Sequence, residues 1–305
     1  MKPVRPGDLT PVQPAPALIT RRSLLLGGAG LAALSAGGLA TYAEAEAATA
    51  LIVTRYRLSP RGWPAGQRLS ITVIADLHAG GPNMGIERIR NVVDTANGLH
   101  SDIVLLLGDF VATHRFVTEH VPGPLWAAEL SRLTAPLGVH SILGNHDWWF
   151  QQTEIRASLN AARIPPMENR AILLGEPGRR FWLAGIGDQL AHRLGHAQFR
   201  GVDDLPATLS QVSTDDPVIL MAHEPDIFPR VPNRVALTLA GHTHGGQLRL
   251  PLVWPMFVPS VYGARFAYGH VREGGRDMIV SGGLGTSIVP LRLGIPPEIV
   301  RIDLG

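Results

Sequence analysis

At 305 residues and 45% hydrophobic content, the chain is long enough to bury a sizeable core, which excludes intrinsic disorder and leaves one large domain or two small ones. A formal charge of +2, carried by scattered arginines with Lys2 as the only lysine, gives no basic field for nucleic acid, and none is expected as a partner. The absence of cysteine excludes disulfides and thiolate metal sites.

Residues 1–48 differ in kind from the rest. A Pro-rich leader ends in Thr20-Arg21-Arg22-Ser23-Leu24-Leu25-Leu26, and an uncharged Gly/Ala/Leu stretch follows to about Thr41: a positively charged n-region before an apolar h-region. Ala43-Glu44-Ala45 and Ala45-Glu46-Ala47 offer small-x-small cleavage triplets. The arginine pair resembles a twin-arginine signal, with Leu24 where Phe is common. That implies the Tat machinery as a partner and export across the cytoplasmic membrane, to the periplasm or extracellular face. An uncharged run of roughly 18 residues also approaches the length of a membrane anchor. We therefore expect 1–48 to be a signal peptide or N-terminal anchor and 49–305 to be one domain.

From Leu51 onward, short apolar runs alternate with segments of helical period. Residues 69–75 are predicted as a buried strand, and Ile86, Ile89, Val92, Val93 and Ala96 recur at helical spacing. A strand over 103–107, a helix over 125–133 and a strand over 139–143 come next. Further strands are expected at 181–185, 217–222, 235–240 and 277–281. The alternation predicts an α/β sheet covered on both faces, with ligands gathering at the carboxyl ends of its strands. Residues 189–203, carrying His192 and His196, read as an insertion with solvent-facing histidines, and the Pro/Gly-dense 251–259 as a loop over the sheet edge. Gly283-Leu284-Gly285-Thr286-Ser287 reads as a tight loop, because Pro290 follows too soon for a helix.

Five of these strands end in polar groups. They run into Asp76-Leu77-His78, Gly108-Asp109, Gly144-Asn145-His146-Asp147, His223-Glu224 and Gly241-His242-Thr243-His244. Asp and Asn start turns, but His is not favoured there and four of the five endings contain it. On one rim, such groups would repel or desolvate one another unless a cation satisfied them. Imidazole nitrogen mixed with carboxylate and amide oxygen suits Mn, Zn or Fe over Ca or Mg. The seven donors Asp76, His78, Asp109, Asn145, His223, His242 and His244 leave room for two ions sharing a carboxylate, an arrangement used in phosphate-ester hydrolysis. His223-Glu224 does not begin a zincin motif, since position 227 is Ile227, and no Gly-x-Ser-x-Gly elbow is present.

The ordered set resembles the calcineurin-like metallophosphoesterases across the chain after the leader. His223-Glu224-Pro225-Asp226, Gly241-His242-Thr243-His244-Gly245-Gly246-Gln247 and the tail with Pro297-Glu298-Ile299 are similar to its YkuE/YaeI-like phosphodiesterase branch. The resemblance implies an α/β fold of four layers, an α/β/β/α sandwich of two mixed sheets flanked by helices. It further implies that Asp76, His78 and His244 hold one metal, that Asn145, His223 and His242 hold the other, and that Asp109 bridges them. His146 would stand beside the ions without binding, and donate a proton to the leaving alkoxide or assist its charge as a metal-bridging hydroxide attacks. Many relatives orient that histidine with an Asp three residues after the Gly-Asp motif; here the position is Ala112, which leaves the partner open between Asp147, if it is not a turn cap, and an unidentified group. Trp148 and Trp149 either line a cleft or complete a core. The expected activity is metal-dependent hydrolysis of a phosphate ester, most simply a diester, with an envelope lipid or nucleotide-linked sugar as substrate and membrane association allowed. The alternative is a non-catalytic metal-binding envelope protein.

Overall fold

Runs such as Ile-Val-Leu-Leu and Val-Ile-Leu-Met have no polar position to turn toward water, and each must be covered on both sides. In the computed structural model, which describes residues 37–195, 198–249 and 257–305, they are. Strands β1 (Ile52–Leu58), β2 (Leu69–Ile74), β3 (Ile103–Leu106), β4 (Val139–Ser141) and β13 (Glu298–Leu304) form one sheet in the order β1-β13-β2-β3-β4. Strands β5 (Arg170–Leu174), β6 (Phe181–Gly185), β9 (Val218–Met221), β10 (Val235–Ala240), β11 (Gly269–Glu273) and β12 (Arg276–Val280) form the other, in the order β11-β12-β10-β9-β6-β5. Both are mixed. In the first, β2, β3 and β4 run parallel and β13 lies antiparallel to β2; in the second, β5 and β11 are antiparallel edges on a parallel centre.

Side chains on β2 and β3 alternate between two cores. Ile71, Val73, Ile103 and Leu105 face the second sheet, packing with Leu183, Ile219, Met221 and Leu237. Ile74, Val104 and Leu106 face the helices α2 (Ile86–Asn97), α3 (Gly123–Leu130) and α5 (Gln152–Ala161). A third cluster covers the far face of the second sheet, where α6 (Leu205–Ser210) and short 3-10 turns supply Leu205, Ile227, Phe228 and Phe266. The result is the four-layer sandwich expected, with a thin fourth layer.

The strand and helix spans expected from sequence are found, with shifted ends. Pro124 starts α3 earlier than expected, because its fixed φ suits the first helical turn, and α3 ends at Leu130 although Leu133 remains buried. β4 stops at Ser141, and residues 142–144 lead on to the site and the short helix α4 (Asn145–Trp149). Residues 189–203 contain a hairpin of β7 (His192–Gly195) and β8 (Gln198–Arg200), with the ring of His192 against Trp148 at 5.3 Å. The arginine pair, most of the apolar leader, His196 and most of 251–259 lie outside the described residues.

One compact unit spans Tyr42–Gly305. It includes helical residues 42–49 (α1), whose Ala43, Glu46 and Ala47 are buried. The carbonyl of Ala43 accepts from Arg292 N at 3.0 Å and the Glu46 carboxylate from Gly294 N at 3.2 Å. Among the described residues no helix is long and apolar enough to cross a membrane.

Candidate metal centre

The carboxyl ends of β2, β3 and β4 in one sheet meet those of β9 and β10 in the other, and the loops leaving them carry all seven expected donors plus His146. The backbone there is unusual. Asp76, His78, Asp109, His242 and His244 all have positive φ, between 46° and 70°, and these five are half of the ten such non-glycine residues among the described ones. A left-handed non-glycine residue costs about 1–3 kcal/mol, so a chain that keeps five together needs those side chains aimed at one point. Glycine serves the same end: any side chain at Gly144 would run into Asp109 Oδ1 and, at 2.6 Å, His223 Cε1.

Asp109 occupies the middle. Its Oδ1 accepts from the backbone N–H of His146 at 2.8 Å, which turns Oδ2 toward His78 Nε2 at 3.5 Å and His223 Nε2 at 3.2 Å. Asp76, His78 and His244 converge on one side of it, and His223 and His242 on the other. Asp76 accepts from His242 N and lies 3.7 Å from His244 Nε2. Asn145 Oδ1 meets His242 Nδ1 at 2.8 Å. All seven residues are buried.

The second nitrogen of each histidine fixes the first. Nδ1 of His78 donates to Val111 O at 3.1 Å and Nδ1 of His223 to Leu107 O at 2.7 Å, which leaves both Nε2 atoms facing Asp109. Arg292 is fully buried; it donates to the carbonyls of Gly282, Gly285 and Ile295 and to Nδ1 of His244 at 3.0 Å. Because a guanidinium only donates, the neutral His244 ring carries its proton on Nε2, 3.1 Å from His78 Nε2.

Burial and mutual charge shift the ionisable groups of this cage in opposite directions. Burial pushes Asp76 up to about 7, with Asp109 adding to the rise. Burial alone would raise Asp109 too, yet His223 and His146 hold it well below the usual carboxylate range. Burial opposes a charge on His223, but Asp109 overrides it and lifts its pKa well above 6.5. In the metal-free protein a proton therefore sits on His223 beside Asp109, where added positive charge is wanted. The buried Nε2 of His242 has no hydrogen-bond partner, and that of His223 meets only carboxylate, Asp109 Oδ2 at 3.2 Å. Imidazole nitrogens aimed inward, a central carboxylate and a demand for positive charge fit a pair of cations with nitrogen and oxygen ligands.

His146 stands at the edge, its ring edge-on to His78 at 4.8 Å and 5.1 Å from Trp149. Burial drops its pKa to about 4, so it is neutral near pH 7. The partner left open by Ala112 is Thr113, whose hydroxyl makes a short hydrogen bond with Nδ1 of His146. Asp147 has another task. Its carboxylate accepts from the N–H groups of Gly144, Asp109 and Phe110 at 3.0, 2.8 and 2.7 Å, tying the two loops together as a cap. Trp149 borders the site under the Arg193 guanidinium at 3.6 Å, whereas Trp148 packs on the helical core. Sequence reasoning missed Thr113, Arg292 and Asp188, which pairs with the already noted Glu224 behind His223. Only Thr113 had a signal, a hydroxyl one position beyond the expected carboxylate.

Residues 69–246 match the calcineurin-like phosphoesterase family model. The chain is 30% identical to the uncharacterized metallophosphoesterase YkuE of Bacillus subtilis, over 94% of its own length and 98% of that protein's. It is 29% identical to an uncharacterized metallophosphoesterase of Aquifex aeolicus, covering 83% of this chain and 92% of that one. To the phosphodiesterase YaeI of Escherichia coli it is 30% identical, with 77% and 81% covered. The chain belongs to the calcineurin-like phosphoesterases, metal-dependent hydrolases of phosphate esters.

Proposed function

We propose that the protein is a phosphodiesterase whose seven converging donors hold two metal ions, Asp76, His78 and His244 on one, Asn145, His223 and His242 on the other, with Asp109 between them. The observation that carries this is Asp109 Oδ2, pinned through its sister oxygen and placed within 3.5 Å of imidazoles from both sets. Bound there, Mn, Zn or Fe would supply Lewis acidity for the phosphoryl oxygens and a nucleophile from water near neutral pH.

The chain's own groups do the rest. The Thr113 hydroxyl and Nδ1 of His146 can each donate to the other, and in the proposed reading the hydroxyl donates, which leaves the ring's one proton on Nε2. A ring held neutral by burial is a poor source of a full proton, so Nε2–H stabilises the growing charge on the leaving oxygen by hydrogen bonding. Asp147 keeps the Asp109 and Asn145 loops in register.

The substrate is a phosphate diester, with an envelope lipid or a nucleotide-linked sugar as the two classes the family reading leaves. We place the enzyme outside the cytoplasmic membrane on the strength of its leader. The buried Ala43 and Ala47 favour retention of α1 over cleavage at either triplet, and N-terminal sequencing of the exported protein tests this. Hydrolysis of bis(p-nitrophenyl) phosphate against p-nitrophenyl phosphate, by protein loaded in turn with Mn, Zn and Fe, tests the activity. Turnover of the diester supports the proposal; none with any metal defeats it.

A further inference from the structure

Next to His244 the surface opens into a cavity of about 240 Å³. Its apolar wall comprises Leu248, Phe257, Pro259, Ile288 and Val289, while Thr243 and His244 form the side nearest the metal centre. Two polar side chains in the wall, Thr243 and Gln247, are already committed, and the Ser287 hydroxyl is the remaining one. The Thr243 hydroxyl donates to Ala267 O at 2.7 Å, and the Gln247 amide donates to Val289 O and Leu291 O while its oxygen accepts from Ser287 N. Phe257 and Ile288 are about half exposed to water, 55% and 49%.

We propose that this cavity receives the hydrocarbon chain of a lipid phosphodiester whose phosphate lies at the metal centre; the inference rests on the hydrolase reading and selects between its two substrate classes. A nucleobase or sugar brings several donors and acceptors that lose their water on entry and need partners, and beside the committed amide and hydroxyl the wall offers only the single hydroxyl of Ser287. A hydrocarbon needs none, and it also covers Phe257 and Ile288. His244 belongs both to the donor set and to the wall, so the cavity adjoins the metal centre on that side.

Two measurements test this on the full chain. The first is fluorescence titration with cis-parinaric acid, a polyene fatty acid that brightens in apolar surroundings. Wild type should show saturable binding, and Ile288→Asp, a change at an exposed site, should weaken it at least tenfold with metal content and bis(p-nitrophenyl) phosphate turnover kept. The second is kcat/KM for alkyl p-nitrophenyl phosphates of rising chain length. It should climb about fourfold per buried methylene in wild type until the cavity is full, and stay flat in I288D. No saturable probe binding, binding unaffected by I288D, or a nucleoside p-nitrophenyl phosphate outrunning every alkyl ester would each overturn the assignment. Probe binding sensitive to I288D without any ester turnover would sustain the cavity and refute the hydrolase instead.

Discussion

Thr113→Val keeps the branched shape of the side chain and removes the hydroxyl that meets Nδ1 of His146. The ring keeps its contacts with His78 and Trp149, so the metal donors stay in place and only the restraint on ring angle and tautomer is lost. A hydrogen bond of this kind is worth about 0.5–1.5 kcal/mol, which corresponds to a fall in kcat of roughly 2- to 13-fold. That is well short of the about 10²- to 10⁴-fold expected for removing the imidazole itself. The assay is kcat on bis(p-nitrophenyl) phosphate, with metal content measured on the same sample and Thr113→Ser as the rescue. Wild-type kcat in T113V, alongside a strongly impaired His146→Ala, would refute the positioning role. So would T113S as slow as T113V, since serine restores the hydroxyl.

Other expectations concern the rest of the cage. His146→Ala should retain near-normal metal content while losing about 10²–10⁴ in kcat; loss of metal instead would make His146 a ligand. Burial holds His78 at about 3 and His146 at about 4, below the ordinary 6.5, so in the metal-free protein their neutral forms stabilise the fold above pH 6.5 and that contribution is lost as pH falls toward 4. The melting temperature of metal-free protein should fall over that window, and less steeply in His146→Gln; an equal slope contradicts the assignment. Metal loading should release a proton from His223, detectable as a buffer-dependent heat of Zn binding, and an enthalpy independent of the buffer would count against a protonated His223 in the metal-free protein. Arg292→Met leaves three carbonyls without their donor and should lower stability by about 3–5 kcal/mol, measured by urea unfolding.

Much of this architecture was legible because burial on both faces leaves a plain mark. Uninterrupted apolar runs such as 103–107 can be little else than central strands, and the polar groups that end them stand out against that background. The strand ends located the site, since Asp76, Asp109, Asn145, His223 and His242 each begin where an apolar run stops. What stayed hidden depends on contacts distant in sequence. β13 is an inner strand of its sheet, parallel to β1 and antiparallel to β2, yet nothing local in Glu298–Leu304 declares either partner. Arg292 sits in a Pro- and Gly-rich tail with no periodicity, and only the folded chain shows its guanidinium against His244. Asp147 was ambiguous in sequence because one carboxylate can orient a histidine or cap a loop. Three backbone N–H groups decide for the cap.

Metal stoichiometry bears most directly on the binuclear centre. Elemental analysis of Mn- or Zn-loaded protein after desalting should give two ions per chain for wild type and one or fewer for Asp109→Asn, in which the shared anionic oxygen is gone. A wild-type value near zero, or two ions retained by D109N, would contradict the account.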